Sequence, residues 1–235
     1  MSAAKSPALS STLARFPTAL HSRLERLWEG FATASEELSA AMDEEQIAVF
    51  LRGCALSDFV AHACRREPSL VSWMLAEGDT SRAAEVYRRE LEARMAGVAD
   101  EKQLMEVLRL YRRDQMVRIA WRDLIGSADM VETTADLSGL ADACLDLALE
   151  RLYRWHCEQW GTPVNAAGEA QQLVVLGMGK LGANELNFSS DIDLIFAYPE
   201  DGETHGGRRA LSNQEFFIKL GQALIRALDA NTAHG

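Results

Sequence analysis

Two carboxylates one residue apart, Asp191 and Asp193, stand in the stretch "GMGKLGANELNFSSDIDLIF", residues 177–196. Gly177, Gly179, Lys180 and Gly182 precede them, and the hydroxyls of Ser189 and Ser190 lie directly ahead. With "DIDLIFAY" as a strand, period two puts Asp191, Asp193 and Ile195 on one face and Ile192, Leu194 and Phe196 on the other. The two acidic residues then have Cα atoms roughly 6.5–7 Å apart. Like charges so close are costly in a partly buried site, and a divalent cation between them removes that cost. Mg²⁺ takes oxygen ligands and completes its shell with water and substrate phosphates. The glycines let backbone N–H groups approach phosphate oxygens. Lys180, Ser189 and Ser190 add phosphate contacts of their own. The expected chemistry is metal-assisted transfer of a nucleotidyl or phosphoryl group, with Asp191 and Asp193 as metal ligands and catalytic carboxylates. Asp-x-Asp alone is common on solvated strand edges, and Gly-x-Gly alone marks ordinary turns. A glycine turn, ten residues between Lys180 and Asp191, and Asp-x-Asp entering an apolar run form a far narrower pattern.

The surrounding sequence suggests how these residues are held. "QQLVVLG" reads as a buried strand before the glycine turn. "PEDGETHGGRR" reads as a loop. "LSNQEFFIKLGQALIRALD" reads as a helix with a Ser212/Glu215 capping box and a buried stripe of Phe217, Leu220, Leu224 and Leu228. Strand, turn, strand and helix make a small α/β unit. Upstream the apolar period is helical. Leu137, Leu140, Ala141, Cys144, Ala148, Leu152 and Trp155 form one stripe; Leu104, Leu108, Tyr111, Val117, Trp121 and Leu124 form another. Trp121 and Trp155 are expected in the core. The arginines of "LRLYRRDQMVRIAWRDL" are expected on a solvated face beside Asp114 and Asp123. The expected organisation is a disordered N-terminus at 1–20, a helical domain at 21–160, a linker at 161–170 ("GTPVNAAGEA"), and an α/β unit from 171 to 235.

Composition narrows the function classes. The chain has 235 residues, 48% of them hydrophobic, and a formal net charge of -11. A phosphate-backbone binder needs a basic face, so nucleic acid is not expected as a partner. Cys54, Cys64, Cys144 and Cys157 form no C-x-x-C pair, and reduced thiols in a cytoplasmic protein are expected. His62 with Cys64, and His156 with Cys157, lack metal-ligand spacing. Neither a signal-peptide core nor a run of roughly 18 apolar residues is present, so no membrane partner is expected.

The order of glycine turn and Asp-x-Asp resembles the signature of the polymerase-β-like nucleotidyltransferases. "GMGKLGANELNFSSDIDLIFAYPEDGET" and "LSNQEFFIKLGQALIRALD", with "RRDQMVRIAWRDL" and "LADACLDLALERLY" upstream, look like bifunctional glutamine synthetase adenylyltransferase/adenylyl-removing enzymes. Ala183 and Asn184 stand where Gly and Arg are usual. The resemblance covers the chain from about residue 45 onward. It implies a mostly α fold, with a helical region followed by an incomplete, truncated α/β nucleotidyltransferase domain. It also implies Mg²⁺-dependent phosphorolytic removal of AMP from a tyrosine of glutamine synthetase, releasing ADP. Adenylylation from ATP would belong to a C-terminal half, and the PII signalling protein would be a regulatory partner. By resemblance Gly177, Gly179, Lys180, Gly182, Ser189 and Ser190 would cradle phosphates. A third carboxylate, in a "VDMRLRP"-like segment, is absent from these residues, so the chain alone is expected to be catalytically silent. The alternatives are another polymerase-β-like nucleotidyltransferase, or a non-catalytic regulatory or docking module.

Overall fold

A computed structural model of the chain describes residues 7–77 and 80–229. The first six residues and the closing "ANTAHG" lie outside the described residues. The fold is mostly α. The helices are α1 (Pro7–Leu13), α2 (His21–Ala34), α3 (Glu36–Ala41), α4 (Glu44–Leu56), α5 (Asp58–Arg66), α6 (Ser69–Glu77), α7 (Ala84–Arg94), α8 (Glu101–Ile125) and α9 (Met130–Trp160). After them come β1 (Gly161–Val164), β2 (Val174–Gly177), α10 (Gly179–Gly182), β3 (Leu194–Ala197), β4 (Glu203–Gly206) and α11 (Asn213–Leu228).

The chain divides into two compact units, Met1–Ser81 with Asp114–Thr133, and Arg82–Arg113 with Thr134–Gly235. This departs from a single boundary at 161–170, because α8 and α9 each contribute residues to both units.

Among its described residues the first unit contains helices and no strand. Leu24, Phe31, Phe50, Leu51 and Trp121 are buried together. The Phe31 and Phe50 rings lie 4.5 Å apart, and Trp121 follows 6.4 Å from Phe50. Gly53 makes room for the indole, since a Cβ there would meet the Trp121 ring at 2.7 Å. Asp43 and Gln46 close a capping box on α4, satisfying donors that the first helical turn leaves orphaned. Residues 7–20, expected to be loose, instead contain α1, with Leu9 and Leu13 buried. Small residues weaken the local signal, but two leucines four apart suffice to seat one helical face. Trp121 is core as expected. Arg118 and Arg122 are not on a solvated face. Both are buried: Arg118 donates to the Thr80 carbonyl, and Arg122 pairs with Glu132 at 2.6 Å.

In the second unit Arg88 pairs with Asp146 and Glu150, tying α7 to α9. Arg151 donates to the carbonyls of Met95 and Val98. The expected helical stripes are in place, with Leu104, Leu108 and Tyr111 buried on α8, and Leu137, Leu140, Cys144, Ala148 and Leu152 buried on α9. Trp155 is only half-buried. The segment 161–170 is not a linker. Its first residues form β1, which pairs antiparallel with β4 from Gly161↔Gly206 to Val164↔Glu203. Gly161 stops α9 with a φ of 86°, and a Cβ there would meet the His205 carbonyl oxygen at 2.4 Å. The Asn165 side chain then folds the next turn by accepting from the N–H groups of Ala167 and Glu169. A second antiparallel ladder joins β2 and β3, from Val174↔Ala197 to Gly177↔Leu194. Ser212 caps α11, its hydroxyl accepting from Glu215 N–H. On that helix Phe216 and Phe217 are buried and meet the rings of Tyr153, His156 and Tyr198.

Candidate functional site

The site is built on the β2–β3 ladder. At the end of β2 the chain makes the short turn α10, and three features force glycine there. Gly179 has a φ of 55°, a left-handed conformation. A Cβ on Gly182 would meet the Gly177 carbonyl oxygen at 2.4 Å, and one on Gly177 would press on Leu181 at 3.1 Å. The backbone therefore doubles back tightly, with Gly182 N–H donating to Met178 and Ala183 N–H to Gly179. Leu181 is the buried anchor of the turn, while Gly179, Lys180 and Gly182 are exposed. Asn184 carries the one left-handed non-glycine φ, 59°, among the described residues. This is the position where the sequence resemblance expected Arg, and asparagine tolerates the conformation well.

The two carboxylates reach this turn through the backbone. Met178 N–H donates to the Asp193 carbonyl at 2.9 Å. That bond extends the β2–β3 ladder one step and holds the Asp-x-Asp segment against the glycine turn. The strand itself begins at Leu194, not at Asp191. Strand pairing stops where β2 turns into α10, so beyond the single Met178–Asp193 bond nothing lies opposite residues 191 and 192 to enforce alternation. Ile192, expected to share a face with Leu194 and Phe196, is exposed, as are both aspartates. β2 is not a buried strand either. Val174 and Leu176 on β2, and Ile195 on β3, are each almost half exposed on one face of the ladder. Val175 and Phe196 face the other way, where Phe196 meets α11 at Gly221. A two-stranded ladder with a helix on one side covers one face only.

A loop hydrogen-bond cluster lies between the turn and the carboxylates. Asn187 is its hub. Its Oδ1 accepts from Ser190 Oγ at 2.6 Å, and from both the N–H and the hydroxyl of Ser189 at 3.2 Å. Lys180 Nζ donates to Ser190 Oγ at 3.3 Å. The structure thus brings Lys180, Ser189 and Ser190 together, ten residues of chain folding back on themselves. The loop is anchored from beneath. Ser138 on α9 is fully buried; its hydroxyl donates to the Thr134 carbonyl at 2.8 Å and accepts from Leu186 N–H at 3.1 Å. Asn187 and Ser138 were not singled out from sequence. "NFSS" carries the Asx-turn signal that would have revealed Asn187. Ser138 sits 48 residues from its partner and has no local signal.

Among the described residues no group of three or more His, Cys, Asp or Glu side chains is placed to hold a metal. Asp191 and Asp193 are a pair of oxygen donors, open to solvent. No helix among the described residues is long and apolar enough to cross a membrane.

Comparison with known proteins decides the kinship of this arrangement. The sequence model of the glutamate-ammonia ligase adenylyltransferase family matches residues 47–235. The chain belongs to that family. It is 48% identical over 234 residues to the bifunctional glutamine synthetase adenylyltransferase/adenylyl-removing enzyme of Pseudomonas aeruginosa, covering 95% of this chain and 24% of the relative. The enzyme of the same name from Hahella chejuensis is 45% identical over 230 residues, covering 97% and 24%. The Pseudomonas putida enzyme is 50% identical over 184 residues, covering 77% and 19%. The chain spans about a quarter of the length of these curated relatives. The match includes the glycine turn, the Asn187 loop and both carboxylates.

Proposed function

We propose that this chain supplies the phosphate-binding turn and the paired carboxylates of a site that removes AMP from a tyrosine of glutamine synthetase by phosphorolysis. Family membership supports the reaction class, because the relatives' names state both adenylyl transfer and adenylyl removal. The hydrogen bond from Met178 N–H to the Asp193 carbonyl carries the structural side of the reading. It couples a glycine turn suited to phosphate with a segment suited to a divalent cation.

The donor set fits Mg²⁺. Asp191 and Asp193 offer only hard oxygen ligands, and their exposure leaves room for waters and substrate oxygens in the rest of the shell. Bound there, Mg²⁺ would neutralise charge on the phosphodiester and polarise it toward attack. The chain's own groups do the remaining work. Gly177, Gly179 and Gly182 keep the turn free of side chains, so that backbone N–H groups approach phosphate oxygens. Lys180 contributes a positive charge, and its bond to Ser190 orients it within the loop. Ser189 and Ser190, whose hydroxyls donate to Asn187 Oδ1 in the structure, would rotate those protons toward the same anion. Inorganic phosphate attacks the adenylyl phosphorus, the tyrosine oxygen leaves, and ADP is the product. Adenylylation from ATP, and regulation by the PII protein, are assigned to the whole protein and not to particular residues of this chain.

The test is the whole-length protein incubated with adenylylated glutamine synthetase, inorganic phosphate and Mg²⁺. ADP should appear with phosphate dependence, and Asp193→Asn should abolish it while leaving the helical circular dichroism unchanged. ADP formation that survives Asp193→Asn with unaltered Mg²⁺ dependence would overturn the assignment.

A further inference from the structure

A cleft of about 530 Å³ opens in the second unit, lined by no residue of the β2–β3 ladder, the glycine turn or the carboxylates. It lies between the end of α9, the connection from β4 to α11, and the first turns of α11, and it includes Trp160, Arg208, Arg209 and Lys219. Its size falls within the range of small-ligand sites, roughly 300–1,000 Å³.

The backbone fixes how these residues meet. β1 and β4 pair at Gly161↔Gly206, directly after Trp160 and one residue short of the arginines. At Gly207 the approach is closer still, since a Cβ there would come within 2.2 Å of the Trp160 carbonyl carbon. Glycine at this position therefore seats the Arg208–Arg209 connection against Trp160. The indole is half-buried, held edge-on to His156 with ring centroids 4.8 Å apart. Lys219 Nζ stands 5.7 Å from the indole centroid.

The charges are uneven. Glu158 and Glu215 also line the cleft, but Glu215 lies 3.8 Å from Lys219, within ion-pair distance. Arg208 and Arg209 are exposed and form no ion pair among the described residues. Three cations against two carboxylates is a local reversal in a chain of net charge -11. Adjacent guanidinium forks suit phosphate oxygens, which they grip with paired N–H donors. An indole beside them offers a flat surface for a heteroaromatic ring.

We propose that this cleft binds a nucleoside phosphate, with its base against Trp160 and its phosphate between Arg208 and Arg209. The site is separate from the proposed phosphorolytic centre and uses none of its residues. It needs no metal, because guanidinium groups supply the countercharge.

The test titrates AMP, adenosine and inorganic phosphate separately into the 235-residue chain in EDTA, by calorimetry and tryptophan fluorescence. AMP should bind, with adenosine and inorganic phosphate each at least about tenfold weaker. Arg208→Ser with Arg209→Ser should weaken AMP by about tenfold or more, and Trp160→Phe should weaken it several-fold and remove the fluorescence change. Asp191→Asn with Asp193→Asn should leave AMP affinity within about twofold. The arginines are exposed, so circular dichroism should show the double variant folded. Four results overturn the proposal: no AMP binding, inorganic phosphate binding as tightly as AMP, full affinity in the arginine variant, or binding lost in the aspartate variant. Because the aspartate variant is read separately, a failed deadenylylation assay leaves this inference standing, and the converse also holds.

Discussion

Ser138→Ala tests whether the loop carrying Asn187, Ser189 and Ser190 is held from α9. The wild-type hydroxyl is fully buried and accepts from Leu186 N–H at 3.1 Å, while donating to the Thr134 carbonyl at 2.8 Å. Alanine fits the space and suits a helix interior. The Thr134 carbonyl keeps its place in the backbone ladder of α9, so the donor left stranded is Leu186 N–H. Leu186 is itself buried, so water does not readily replace the lost acceptor. An orphaned buried donor costs about 1–3 kcal/mol. Local opening of the loop becomes easier by that amount. Amide exchange at Leu186, measured by NMR under conditions where it reports the opening equilibrium, should accelerate about 5- to 150-fold. Glu185 N–H, bonded to the Lys180 carbonyl within the turn, is an internal reference for how far the loosening spreads. An unchanged exchange rate at Leu186 in a folded Ser138→Ala protein would refute the anchoring role. So would equal acceleration of amides throughout α9, which would indicate global destabilisation.

Gly53→Ala should lower stability by about 1–3 kcal/mol in urea unfolding, because the new methyl overlaps the Trp121 ring, and the near-ultraviolet tryptophan signal should change with it. Gly182→Ala should loosen the glycine turn, since its methyl would collide with a backbone oxygen that cannot swing aside; weaker phosphate dependence of ADP formation in the whole-length protein is the expected readout. His156 is held below its ordinary value of 6.5, first by burial, against a bond to the Leu152 carbonyl that favours the charged form. The unfolded chain therefore takes up this proton before the folded one does. Its contribution to stability is present above about pH 6.5 and is lost as pH falls through the lowered folded value. His156→Gln should flatten that part of the stability–pH curve, and an unchanged slope would contradict the assignment. Arg88→Ala, by contrast, should cost under about 1 kcal/mol, because its pairs with Asp146 and Glu150 are largely open to solvent.

Features that depend on neighbours along the chain were legible in the amino-acid order. The stripes of α8 and α9 follow from apolar spacing, and Ser212 follows from the capping preference of hydroxyl side chains. Gly179 and Gly182 were legible because few other residues can make such a turn, and the paired aspartates were legible as oxygen donors one residue apart. Tertiary structure decided what depends on distant partners. β1 looked like a linker because its ladder partner, β4, lies some 40 residues on, inside what reads as a loop. Arg118 and Arg122 looked solvated because nothing in their own helix shows the Thr80 carbonyl or Glu132 waiting beside them. The strand behind the aspartates starts late because β2 turns away at Gly177, and pairing cannot outlast its partner. Ser138 holds the loop across 48 residues, and the cleft at Trp160 exists only once Gly207 closes on it. A local pattern is set by torsions and side-chain spacing within a few residues. A hydrogen bond or buried charge is set by which surface folding brings against it, and that depends on the whole packed unit.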